Sequence, residues 1–316
     1  MKMDNQHFYF NMKKVYLIVS VLFMCSLTSV FGQVQDDTLF DENRKAQGLN
    51  ERWDLTPETR KKTFTITPYK PIYLLPAKWY SKPNEQPTSL NPNNSSTEPI
   101  DYDNWEIKFQ LSFKTKVVQG LFDGKGDVWL AFTQTANWQA YNGQESRPFR
   151  ELNYEPEIIF NYPLDFSIND FKFKMVGLGF NHQSNGKSLP TSRSWNRFTM
   201  HLGMEYNKWT FMLRPWIKFH ETYGKEDNPR IEEYIGKGEL NVIYSRDNGQ
   251  MFTFLMRSNM RLNSRYKGFT ELTWAYPIKH NLKAFVVVNN GYGDSMIDYN
   301  WNQTTVGVGI TLMEWL

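Results

Sequence analysis

The chain has 316 residues, 40% hydrophobic and 16% aromatic, enough to bury a core in one large domain or two. Its 36 Lys and Arg against 33 Asp and Glu leave a net charge of +3, too balanced for a nucleic-acid partner, and no basic cluster interleaves with aromatics. After the N-terminus, no apolar run reaches the ~18 residues of a membrane-spanning helix.

Residues 1–32 read as a signal peptide. Lys13 and Lys14 form its basic region, Val15 to Val30 its apolar region, and Phe31-Gly32-Gln33 a cleavage site. The basic pair sits late, so translation can begin at Met12 rather than Met1. Cys25, the only cysteine, lies inside this segment behind Met24, a poor neighbour for a lipoprotein anchor. The mature chain is therefore expected to be exported and free of disulfide and thiol chemistry. A polar segment with weak helical character, 33–62, comes next.

From residue 63 to 316 the sequence reads as strands. The first falls near Thr63 to Pro76, and 81–104, rich in Pro, Asn and Ser, is expected to be a long exposed loop. In the next strand Trp105, Ile107, Phe109, Leu111 and Phe113 take one face, and Glu106, Lys108, Gln110, Ser112 and Lys114 the other. The same period of two returns from Val128 to Phe132, Phe198 to Met204, Trp209 to Leu213, Leu240 to Tyr244, Leu272 to Tyr276, Leu282 to Val288 and Val306 to Leu312. This makes about twelve segments of ~10 residues with no helical crossovers, so the strands should be antiparallel neighbours.

Two all-β folds accommodate such a chain, a soluble sandwich and a transmembrane barrel. The export signal, uniform strands, Tyr and Trp near strand ends and the lack of cysteine favour an antiparallel transmembrane β-barrel of about twelve strands. Its lumen face would carry Lys108, Arg197, Glu205, Arg214, Lys218, Glu239, Arg257 and Glu271, mixed signs that imply a packed ionic interior.

The stretch GFNHQSNGKSLPTSRSWNRF, 179–198, holds the candidate chemistry. His182 and Ser184 share parity with Val176, Leu178 and Phe180; Asn196 shares it with Phe198, Met200 and Leu202. All three polar side chains thus lie on the outward, apolar faces of adjacent strands, where polar groups are costly. They suit a triad of Ser184 nucleophile, His182 base and Asn196 orienting amide, or else they are rim residues at headgroup level. His201 and His220 have lumen parity beside Arg197 and Lys218, His280 falls in a short turn, and His7 precedes the signal. No histidine pair has zinc spacing. Lys187 to Ser192 offers carbonyls and hydroxyls without a carboxylate, so a calcium ion there would be weakly held. Gln134, outward beside Leu130 and Phe132, marks either an oligomer contact or the membrane interface.

NHQSNG at 181–186, SRSWNR at 192–197, PFRELNYEP at 148–156 and GYGDSMIDYNWNQTTVGVG at 291–309 resemble the outer-membrane phospholipase A family. The resemblance runs from about Phe64 to the C-terminus. It implies a twelve-stranded barrel in the bacterial outer membrane, active as a calcium-dependent homodimer that hydrolyses phospholipid acyl esters, sn-1 and less strictly sn-2. It further implies that Ser184, His182 and Asn196 are nucleophile, base and orienting residue. Ca2+ would be held by the Lys187 carbonyl and Ser192 hydroxyl of one subunit and Ser146 of the other, with Gln134 at the dimer interface. Two departures stand out. Lys187 replaces an arginine whose backbone oxygen is the ligand, and Leu189 replaces one carboxylate of a second calcium site to which Asp227 matches the other. The competing expectations are a non-catalytic barrel, such as a small porin or transporter, and a soluble exported sandwich that binds a hydrophobic ligand.

Overall fold

A strand with alternating faces can satisfy two different surroundings at once, and this chain closes a sheet on that basis. The computed structural model describes residues 48–219 and 226–313; the signal segment with Cys25, His7, residues 33–47, His220 and Trp315 lie outside the described residues. In chain order the strands are β1 (Ile66–Pro68), β2 (Ile72–Tyr80), β3 (Trp105–Gly120), β4 (Gly126–Trp138), β5 (Phe149–Ile168), β6 (Phe171–Ser184) and β7 (Ser194–Tyr206). They continue with β8 (Trp209–Lys218), β9 (Gly238–Ser245), β10 (Met251–Ser258), β11 (Gly268–Lys279), β12 (Leu282–Tyr292) and β13 (Asn302–Met313).

From β2 to β13 each strand pairs antiparallel with the next, and β13 pairs back onto β2. The result is a closed barrel of twelve strands, because β1 extends the line of β2 along β3. Closure leaves no unpaired edge, which is what permits strands to cross lipid. At the seam the register slips between Val308 and Ile310, and a Cβ on Gly309 would stand 2.0 Å from the Leu74 carbonyl oxygen. Only glycine allows that approach.

Burial is inverted relative to a water-soluble sheet. On β3, Trp105 and Leu111 are each 50% exposed, whereas Glu106 and Lys114 are fully buried. In water each exposed Leu or Phe would forgo roughly 1.5–3 kcal/mol; against acyl chains that cost vanishes. The buried charges answer one another across the lumen. Arg197 meets Glu155 at 3.0 Å, Arg214 meets Glu157 at 3.0 Å, and Lys116 bridges Asp54 at 2.8 Å and Asp127 at 3.3 Å.

Three features depart from the sequence reading. The lumen is not ionic throughout: Leu75, Ile243, Met251, Ala275, Phe285 and Val287 form an apolar inner cluster, since parts of β9 to β12 carry apolar residues on both faces, while Glu239, Arg257 and Glu271 of the same strands line the interior with Lys108. The described part of the polar 33–62 segment is a plug inside the barrel. Its helix Leu49–Trp53 buries Leu49 and Trp53 against Trp129, Ile159, Met175 and Met212. Lys114 Nζ lies 3.3 Å from the Trp53 ring centroid, a desolvated cation–π contact. Finally, 81–104 is not simply exposed, because Asn84 and Asn94 are buried where the loop crosses the barrel mouth.

The plug sits at the end with the short turns, since the Leu49 amide donates to Glu205 Oε1 at 2.7 Å beside the 207–208 turn. The loops 139–148, 185–193 and 293–301 gather at the other end with 81–104. In outer-membrane barrels the longer loops face the cell exterior.

Candidate active site

β6 and β7 form the hairpin that carries the 179–198 stretch, with His182 paired to Asn196 and Ser184 to Ser194. The inward residues fix that register. Arg197 donates to Asn181 Oδ1 at 2.6 Å and Glu155 Oε1 at 3.0 Å, and its guanidinium lies 4.1 Å from the Trp195 ring centroid. Trp195 Nε1 donates to Gln183 Oε1 at 2.9 Å. With Asn181 and Arg197 turned inward and buried, His182 and Asn196 must turn outward, above the exposed Phe180 and Phe198.

On that outer face His182 Nδ1 and Asn196 Oδ1 are 2.8 Å apart. An amide oxygen can only accept, so Nδ1 carries the proton and Nε2 is left with a free lone pair. Ser184 stands two residues along the same face, roughly 7 Å of strand away. His182, Ser184 and Asn196 are all half-buried. Among the described residues the Ser184 hydroxyl has no hydrogen bond to His182. The pair therefore shares a face without a hydrogen bond between the two side chains, a spacing that does not by itself rule out a nucleophile and its base.

The loop 185–193 follows. Ser192 Oγ donates to Asp227 Oδ2 at 2.7 Å, and Ser194 Oγ donates to the same oxygen at 3.1 Å. A hydroxyl that gives its proton to a carboxylate keeps its lone pairs for a cation. Together with the Lys187 carbonyl it offers hard oxygen donors of the kind calcium takes. Hence the residues fit the ion. The described residues hold no cluster of three or more His, Cys, Asp or Glu side chains able to bind a metal, so a cation would rely on such neutral oxygens. Ser146 is exposed on the neighbouring loop, with φ of 60°.

The mouth beneath is rigidly charged. Arg150 bridges Glu106 at 2.9 Å and Asp298 at 2.7 Å, while Asp294 holds Lys78 at 2.5 Å and Lys108 at 3.1 Å. Burial pushes the Asp294 carboxyl up, but the two ammonium groups outweigh it and hold it well below the usual carboxylate range. The strap 81–104 is tied in as well: Asn94 Nδ2 donates to the Ser192 carbonyl and to Asp227 Oδ1, both at 3.1 Å, and Asn84 Nδ2 donates to Asp298 Oδ1 at 3.1 Å.

Of the sequence candidates, His182 and Asn196 are in contact, and Lys187 and Ser192 share one loop beside them. Gln134 lies half-buried on the outer wall of β4, opposite Leu111 and Tyr154. His201 is buried in the lumen, where Nε2 lies 3.1 Å from Thr199 Oγ1. His280 takes a positive φ in the β11–β12 turn. Sequence reasoning gave no part to Asn185 and Glu151, which lie within the quoted motifs and are hydrogen-bonded to each other at 3.3 Å. It matched Asp227 to a second calcium site with the Leu189 position and did not foresee its hydrogen bond with Ser192.

Residues 49–312 match the family described as Phospholipase A1. Phospholipase A1 of Escherichia coli strain K12 is 35% identical over 249 residues, covering 79% of this chain and 82% of that protein. The solved structure of outer membrane phospholipase A from Escherichia coli superposes with a TM-score of 0.70 at 33% identity, over 79% of this chain and 94% of that one. An outer membrane phospholipase dimer with bound calcium from Salmonella typhi gives 0.71 at 33% identity, over 81% and 95%.

Proposed function

The chain belongs to the phospholipase A1 family, and from that premise we propose that it is a calcium-dependent outer-membrane phospholipase acting through Ser184, His182 and Asn196. The observation that carries the reading is the 2.8 Å contact of His182 Nδ1 with Asn196 Oδ1 on the lipid-facing wall, beside Ser184. A soluble hydrolase would bury such a group; here the substrate is the surrounding solvent.

Ser184 Oγ attacks the acyl carbonyl carbon as His182 Nε2 takes its proton. The tetrahedral adduct then expels the glycerol oxygen, which receives that proton and departs as the lysophospholipid. Water repeats the sequence on the acyl-enzyme and releases the fatty acid. Throughout, the Asn196 oxygen accepts from Nδ1–H and steadies the imidazolium, while a neutral amide avoids an unpaired charge at the bilayer edge. The Ser184 amide helps hold the oxyanion. The Lys187 carbonyl and Ser192 hydroxyl would hold calcium, which supplies Lewis-acid polarisation of the ester carbonyl when bound.

The relative from Salmonella typhi is described as a dimer with bound calcium. We extend this to the present chain: Ser146 of a second copy completes the shell begun by Lys187 and Ser192, and Gln134 lies in the contact. Metal binding and association are then linked, each strengthening the other. The substrates are the sn-1, and less strictly sn-2, esters of phospholipids and lysophospholipids, and the precursor is exported by residues 1–32. Hydrolysis of phospholipid in mixed micelles, with calcium and with chelator, tests the reading alongside sedimentation in detergent. Activity and dimer are expected together with calcium. Calcium-dependent activity in a permanent monomer would refute the shared site.

A further inference from the structure

Asn185 follows the nucleophile directly, yet the chemistry above gives its side chain no part. It is 2% exposed and its hydrogen-bonding capacity is full. Oδ1 accepts from the Lys187 amide at 3.3 Å and the Arg193 amide at 2.9 Å. Nδ2 donates to the Thr191 carbonyl at 2.8 Å and to Glu151 Oε2 at 3.3 Å. Its own N–H closes the loop on the Arg193 carbonyl at 2.9 Å. Glu151, fully buried on β5, is immobilised in turn, because Oε1 accepts from Asn153 Nδ2 at 2.8 Å and the Ile297 amide at 3.0 Å. A fixed carboxylate therefore anchors one amide group, and that amide's oxygen holds the backbone at Lys187 and next to Ser192.

A cation shared by a carbonyl and a hydroxyl five residues apart needs their separation set beforehand, since ordering the loop on binding would be deducted from affinity. We infer that Asn185 is a positioning residue that fixes the spacing of the Lys187 carbonyl and the Ser192 hydroxyl, and that Glu151 anchors it. The inference rests on the calcium reading proposed above. Partners behind a ligand shell typically govern metal affinity by 10–100-fold, so these two side chains set how much calcium the protein needs rather than how fast the loaded protein turns over.

The full chain in micelles provides the test, as wild type, Asn185→Ala and Glu151→Gln. Calcium is titrated calorimetrically with a non-hydrolysable ether phospholipid present, hydrolysis is followed against calcium, and folding is judged by heat-modifiable gel mobility. Asn185→Ala should raise half-saturating calcium about tenfold or more, with kcat at saturating calcium close to wild type. Glu151→Gln, which keeps the shape but turns an amide N–H toward Asn185 Nδ2 and toward the Lys187 ammonium that lies 3.6 Å from Oε2, should move it less and in the same direction, and it carries the test if the alanine variant fails to fold. An unshifted midpoint in a folded variant overturns the inference, as does a fall in kcat at saturating calcium without a shift. If chelator has no effect on the wild type, the calcium reading falls and takes this inference with it. If the wild type needs calcium but the variants share its midpoint, only the inference falls.

Discussion

In the proposed triad, removing Asn196 should separate the orienting role from that of the base. The bond lost with Asn196→Ala is the 2.8 Å contact to His182 Nδ1 at a half-buried site. Between neutral partners such a bond contributes roughly 0.5–1.5 kcal/mol, and roughly 1.5–3 once the imidazole is charged. Only the charged state occurs in the transition state, and each 1.36 kcal/mol is tenfold in rate. Asn196→Ala should therefore lower kcat by about one to two powers of ten. His182→Ala removes the base itself and should cost about 10²–10⁴. The assay is hydrolysis of a chromogenic thioester phospholipid in mixed micelles at saturating substrate and calcium, with both single variants and the double variant. Because Asn196 acts only through His182, the double variant should be no slower than His182→Ala alone. Losses that multiply in the double variant would refute this dependence, and equal losses in the two single variants would refute the division of roles.

Three further outcomes are expected. Ser184→Ala should abolish hydrolysis while preserving heat-modifiable mobility, and a sulfonyl fluoride should label Ser184 of the active protein by mass spectrometry; full activity in the variant would remove the enzyme's nucleophile from this site. Trp53→Ala should lower the thermal midpoint by the equivalent of about 3–5 kcal/mol, read by gel mobility, while hydrolysis at low temperature stays intact at the opposite end of the barrel; an unchanged midpoint would mean that the plug adds nothing to stability. Asp294 has a depressed folded-state pKa, so its contribution is full above the unfolded value of about 4 and is lost as pH falls through the folded one. Asp294→Asn should thus destabilise by about 3–5 kcal/mol at neutral pH, and its deficit against wild type should shrink in melts below about pH 4.

The faces of β3, β7 and β13 were legible because a strand has a period of two and lipid tolerates only one kind of side chain. Parity alone turned His182, Ser184 and Asn196 outward, and the hairpin register then set His182 opposite Asn196. Parity gave less where both faces are apolar. Val286 and Val287 differ only in direction, so the apolar cluster inside the lumen was hidden. The plug was hidden because Leu49, Trp53 and Leu55 are scattered among charges, of which Asp54 pairs both with Lys61 of its own segment and with Lys116 of the barrel wall. Asn94 and Asn185 look like ordinary loop residues, since an amide advertises nothing until its partners are in place, two for the Asn94 side chain and four for that of Asn185. For Asn185 the one local cue was its place between Ser184 and Gly186, where a left-handed turn begins.

The seam has a consequence for how the molecule assembles. Every pairing from β3 to β13 joins neighbours in the chain, so hairpins such as β6–β7 can zip locally at little cost in loop entropy. Only β2 and β13 must find each other from opposite ends, uniting Tyr73 with Thr311 and fitting Gly309 against Leu74. Until they meet, the chain is an open sheet with two adhesive margins in a medium that cannot hydrate them. A bulkier residue at Gly309 would therefore act late, leaving the β6–β7 hairpin formed on a sheet that cannot close and that joins other chains instead.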